Sequence, residues 1–149
     1  MKITDKQVAT LRAQLAGRTD EYVRRLDKLE TEEEQTGYTT LITAAFFEAV
    51  DRRFITNGKA ANNSEVIDFI STKREINPVA AEQLDPGVAE QVLLSALGKG
   101  AISQKIDGDT LMGTQVLLLA ALIGEADLSE AELESFLAKA RAEADEHIG

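Results

Sequence analysis

Apolar residues recur along this chain at spacings of three and four, the period of an amphipathic helix, and strict alternation is scarce. In the first segment Val8, Leu11, Leu15, Tyr22, Leu26 and Leu29 form one stripe that stays in phase across Gly17. A single helix from about Asp5 to Glu34, kinked at the glycine, accounts for that phase better than two unrelated helices. It would be roughly 45 Å long, more than a compact bundle of this size requires. The alternatives are a hairpin broken at Gly17 or a helix that reaches a partner. Gly37 then closes the segment and Thr39 or Thr40 caps the next. There Leu41, Ile42, Ala45, Phe46, Phe47, Ala49, Val50 and Phe54 cover more than half the circumference, which predicts a core helix.

Punctuation between the later stripes is chemically explicit. Thr56-Asn57-Gly58-Lys59 predicts a turn, because Asn-Gly readily supplies positive φ. Asn62 or Asn63 caps a short helix carrying Val66, Ile67, Phe69 and Ile70. Asn77-Pro78 and Asp85-Pro86 each pair a capping side chain with a proline whose missing N–H costs nothing in a first turn, so both predict helix starts. The second of these helices runs to Leu97 and stops at Gly98. Asp107-Gly108-Asp109-Thr110 opens a helix containing Val116 to Ile123, apolar on every side and therefore expected at the centre of the bundle, ending at Gly124. The last helix has Ser129 as N-cap, Glu132 completing a capping box, and Leu128 and Leu133 as a staple. Its buried stripe should be Leu133, Phe136, Leu137, Ala140 and Ala144.

Together these signals predict an all-α bundle of six to eight helices forming one domain over residues 1–149. Residues 1–36 would form the long N-terminal helix or helical hairpin and residues 38–149 the bundle core. A weak duplication shows in the C-terminal half, where Gln91–Gly98 resembles Gln115–Gly124 and Ala101-Ile102-Ser103 echoes Asp127-Leu128-Ser129. Leucine-rich helices that end in glycine resemble one another for physical reasons, so true repetition stays open.

Composition narrows the chemistry. The chain has 149 residues and no cysteine, which excludes disulfides, thiolate nucleophiles and cysteine-bound zinc. Met1 to Lys6 hold no apolar h-region, and the run Val116 to Ile123 is less than half of the roughly 20 residues a spanning helix needs. The expected location is the cytoplasm, with no membrane association. The net charge of −10 is uneven: residues 1–36 carry eight acids and seven bases, residues 127–149 seven acids and two bases. An acidic surface favours solubility and repels polyphosphates.

Candidate reactive residues are few. The only histidine, His147, lies near the terminus, where rigid partners are scarce. Glu48 and Asp51 read as a surface carboxylate pair, and the Glu-x-x-His pairs of a di-metal bundle do not occur. Asp107-Gly108-Asp109 departs from a calcium loop because its glycine comes too early and the later ligands are absent. Phosphate-binding glycine loops and the hydrolase elbow are missing too. Arg24-Arg25, Arg52-Arg53 and Lys73-Arg74 could converge on an anion if their helices pack together, although scattered surface pairs are the simpler reading. Residues 110–141 can be drawn as a helix-turn-helix, but Glu130, Glu132 and Glu134 would occupy the DNA-reading turn.

No catalytic, cofactor-binding or metal-binding residue is assigned on these grounds, and no cofactor is expected. The leading expectation is a non-enzymatic protein–protein interaction module: a small cytoplasmic regulator, adaptor or assembly factor. Its candidate surface is Leu11, Leu15, Tyr22, Leu26 and Leu29, docking on another protein or pairing with its own copy as a homodimer. The alternatives are a small ligand-binding or enzymatic helical domain with a pocket of carboxylates and tyrosines such as Tyr22 and Tyr38, and a nucleic-acid-related role as DNA mimic or weak binder.

Overall fold

In the computed structural model of the chain, residues 2–148 are described, the side chain of Ile148 excepted. They form eight helices, α1 Asp5–Leu15, α2 Thr19–Asp27, α3 Glu32–Phe54, α4 Asn63–Ile76, α5 Pro78–Gln83, α6 Pro86–Ala96, α7 Gly108–Ala126 and α8 Glu130–Ile148. The only sheet among the described residues is the two-stranded pair β1 Ile55–Thr56 and β2 Lys59–Ala60. The all-α expectation holds. Two compact units divide the chain, one of residues 1–48 with 123–149 and one of residues 49–122, so α3 and α7 each contribute to both.

In the first unit the N-terminal segment is a hairpin, not one long helix. Gly17 takes φ +76°, which other residues adopt only with strain, and a Schellman pair closes α1: Arg18 N–H donates to the Ala13 carbonyl at 2.9 Å and Gly17 N–H to Gln14 at 3.2 Å. Thr4 and Gln7 form a capping box at the start of α1. Gln7 is buried at 2% exposure, and its Nε2 donates to the Glu34 carbonyl at 2.8 Å while its Oε1 accepts from Thr4 N–H at 2.8 Å.

Gly37 does not end a helix. Thr31 starts α3, its Oγ1 accepting from Glu34 N–H at 3.1 Å, and the helix runs through Gly37, where a Cβ would lie 2.4 Å from Gln7 Nε2. The glycine is there for close approach. The last helix pins the start of the chain: Ile3 N–H donates to Asp145 Oδ1 at 2.7 Å, and Arg141 donates to the Ile3 carbonyl at 2.8 Å and to Asp5 at 2.7 Å. Ser129 and Glu132 form the expected capping box, and Phe136, Leu137, Ala140 and Ala144 are buried as predicted, with Leu133 half-buried. Phe47, expected in the core, is 45% exposed.

In the second unit Asn57 and Gly58 both take positive φ, 54° and 76°, the type I′ geometry that suits right-handed strand twist. That turn makes a minimal hairpin, Ile55 opposite Ala60, where the sequence showed no strand. Asn62, Asn77 and Asp85 cap α4, α5 and α6 through their side-chain oxygens, and α4 at 14 residues is longer than its apolar stripe suggested. Phe54 meets Phe69 edge-on at 5.5 Å and 88°. Around them Val50, Val66, Ile70, Leu84, Ala89, Val92 and Leu93 are buried, while Ile67 is exposed.

Helix α7 corrects another expectation. It buries one stripe, Leu118, Leu119, Leu122 and Ile123, whereas Met112, Val116 and Leu117 are half-buried and Ala120 exposed. By length and composition it alone among the described residues could cross a membrane, a property it shares with core helices of soluble proteins. The helix also passes through Gly124 to Ala126, with positive φ at Asp127, whereas α6 stops at Gly98, so the two similar segments end differently.

Two glycines give opposite expectations in urea denaturation. Gly124→Ala, in open space on α7, should add about 0.5–1 kcal/mol through helix propensity. Gly37→Ala makes the same gain but must displace the buried Gln7 amide, a loss of about 1–3 kcal/mol, and should be net destabilising. A stabilised Gly37→Ala would show that the Gln7 contact does not constrain the fold.

Candidate functional site

The five residues singled out from the first segment divide once folded. Leu11, at 0% exposure, and Leu29, at 3%, belong to the protein's own core. Leu15 and Tyr22 are half-buried and Leu26 is 37% exposed. What remains accessible is centred on α2, a helix with no buried residue. Tyr22, Val23 and Leu26 lie within one arc of its wheel, and Val23, at 51% exposure, is its most open apolar side chain. Sequence reading missed Val23 because it falls off the stripe that α1 and α2 were taken to share. Its position three before Leu26 was the available signal. The arc is bordered by Arg25, held by Glu21 at 2.8 Å, and on its other side by Asp20 and Asp27.

The two tyrosines do come together in the first unit. Tyr38, on α3, is buried, and its hydroxyl donates to Gln14 Oε1 at 3.2 Å. Burial raises its pKa strongly, and the neighbouring Tyr22 phenol raises it further. Burial also raises that of Tyr22. Both phenols therefore remain neutral, Tyr38 as a buried hydrogen-bonding group and Tyr22 as a half-buried one. The expected surface pair Glu48 and Asp51 is corrected: Glu48 is buried and meets Lys139 Nζ at 3.1 Å, while Asp51 is exposed. Burial of a carboxylate requires such a partner, which a spacing of three residues does not reveal.

Glu21, Glu34, Asp107, Glu132 and Glu134 all move toward the charged form, each chiefly through a hydrogen-bonding partner. That direction suits caps and ion pairs and is opposite to what a general acid needs. In the second unit the doublets Arg52-Arg53 and Lys73-Arg74 do converge, on aromatic rings. The Arg53 guanidinium lies 4.9 Å from the Phe54 centroid and 5.6 Å from that of Phe69, and Lys73 Nζ lies 5.5 Å from Phe69. Arg74 donates to the carbonyls of Ala81 and Leu84 at 3.0 Å. In the first turn of α8, Glu132 is used in the capping box and Glu134 pairs with Arg12. His147 is exposed, and no metal-binding group of side chains occurs among the described residues.

No family model, no curated protein and no solved structure matches this chain.

Two titrations test these assignments. Folded Glu21, Glu34 and Glu134 ionise below the ordinary 4.5, so their contribution is complete above that value and lost as pH falls through the folded pKa. The urea midpoint should drop as pH falls below about 4.5, and less steeply in Glu134→Gln and Glu34→Gln. For the tyrosines the sign is reversed. Their raised values preserve stability up to the ordinary 10 and lose it above, so phenolate absorbance should rise together with loss of far-UV helicity. Ordinary ionisation of both phenols in a protein that stays helical would contradict the burial of Tyr38.

Proposed function

We propose that this chain is a non-enzymatic protein–protein interaction module, acting as a small regulator, adaptor or assembly factor, and that α2 presents its docking surface. The observation that carries this reading is a nine-residue amphipathic helix without a single buried residue, whose Val23 and Leu26 stand open to solvent. An apolar arc that the chain leaves uncovered becomes favourable on docking, because covering a Val or Leu side chain contributes about 1.5–3 kcal/mol. The ion pairs of Glu21 with Arg18 and Arg25 border that arc. Of the five residues proposed from the sequence, Tyr22 and Leu26 stay in this surface, Val23 joins them, Leu15 is half-buried on α1, and Leu11 and Leu29 belong to the core.

A photo-reactive residue at Val23, with the exposed Ala142 as the control position, tests the surface in the cell of origin. Position 23 should give one discrete product at equal stoichiometry, either another protein or a second copy, and position 142 should not. Val23→Glu with Leu26→Glu should weaken that complex by at least about a hundredfold, from the two apolar side chains lost, while far-UV helicity is unchanged. Identical products from both positions, or a complex that survives the double substitution, would remove α2 as the docking surface.

A further inference from the structure

Helix α2 is the one helix among the described residues whose first turn no side chain caps. At the start of each of the other seven, from Thr4 of α1 to Ser129 of α8, a Thr, Asn, Asp or Ser oxygen accepts a backbone N–H. The cause is local. Arg18 closes α1 before it opens α2, because its N–H is committed to the Ala13 carbonyl at 2.9 Å. Its backbone sits at φ −88°, ψ 73°, whereas the caps of α1 and α4 are extended, with ψ 161° and 164°.

Packing does not make up the difference. With nine residues α2 is shorter than the roughly 12 below which an isolated helix is marginal in water. None of its side chains is buried, and the best covered apolar one, Tyr22, is half-buried beside the phenol of Tyr38. The pairs of Glu21 with Arg18 and Arg25 lie at the surface, where such contacts contribute little. The ends of the segment, by contrast, are fixed. Ala13 is sealed on one side of Gly17, and on the other Leu29 is sealed while its carbonyl accepts from Gln35 Nε2 at 2.9 Å. Gly17, at φ +76° in open space, leaves the joint free of side-chain packing. Releasing a short loop between two anchored ends exposes little apolar surface and leaves the anchors in place.

We infer that residues 18–28 open and reclose as one unit while the rest of the first unit stays folded, so that the docking surface on α2 exists only in the closed state. A partner that binds the closed helix draws the population toward it, and its apparent affinity is scaled by the closed fraction. That consequence rests on α2 being the docking surface; the opening does not. Native-state hydrogen exchange of the full chain, followed amide by amide in low, sub-denaturing urea, reads the opening directly. The amides of Tyr22 to Asp27 should share one protection factor, at least about a hundredfold below that of Leu11 and Ala13 on α1. Their exchange should scarcely respond to urea, because little surface is exposed, whereas that of Leu11 and Ala13 should accelerate steeply. Arg24→Gly, at an exposed position, should speed all the α2 amides alike, by about fivefold for a helical glycine. Protection and urea dependence equal to those of Leu11 and Ala13 would make α2 part of the core. A gradient of protection along α2, with Arg24→Gly altering only its neighbours, would mean fraying residue by residue. Either result overturns the proposal. No partner is present in the experiment, so neither result bears on where one docks, and a failed cross-link at Val23 leaves the opening untouched.

Discussion

One buried carboxamide governs how the first unit closes. Gln7 has four jobs for one side chain: its oxygen satisfies Thr4 N–H, its nitrogen satisfies the Glu34 carbonyl, its position completes the cap of α1, and its bulk occupies the space above Gly37. A polar group this deeply buried is tolerated only when its hydrogen bonds are made. Here they fix α1 against the first turns of α3. Lys6 with Glu34, Arg12 with Glu134, and Arg141 with Asp5 then add exposed ion pairs around that contact, each of modest value singly. The order matters: the carboxamide sets the distance, and the charges decorate it.

Local chemistry was legible wherever a side chain caps its own helix. Asn62, Asn77, Asp85 and Ser129 act within three residues of themselves, so their roles survive whatever the rest of the fold does. Glycine was the failure, because one residue serves two purposes. Gly98 supplies positive φ and ends α6, whereas Gly37 supplies the absence of a Cβ to a residue thirty positions earlier, and the sequence around each looks alike. Thr4 with Gln7 and Thr31 with Glu34 were readable capping signals, the second lying inside the segment read as one long helix or a hairpin.

Surfaces were less legible than helices for a related reason. Periodicity reports that a stripe exists, not what covers it. Leu11 and Leu26 belong to the same stripe, and one is sealed while the other is open. An all-round apolar helix such as α7 likewise satisfies the pattern of a central element, although Met112, Val116 and Leu117 are only half-buried. Ring contacts are invisible for the same cause: Arg53 and Lys73 are twenty residues apart, and only folding places both cations by Phe69.

The clasp between Ile3 and α8 also has a timetable. The donor at Ile3 and its acceptor at Asp145 lie 142 residues apart in the chain. At a ribosomal pace of about 5–20 residues per second, the acceptor emerges roughly 7 to 28 s after the donor. For that interval the first turn of α1 is without its C-terminal partner, and Ile3, which is sealed in the finished protein, is open to any chaperone or neighbour that reaches it. A residue synthesised early is thus among the last to reach its final surroundings.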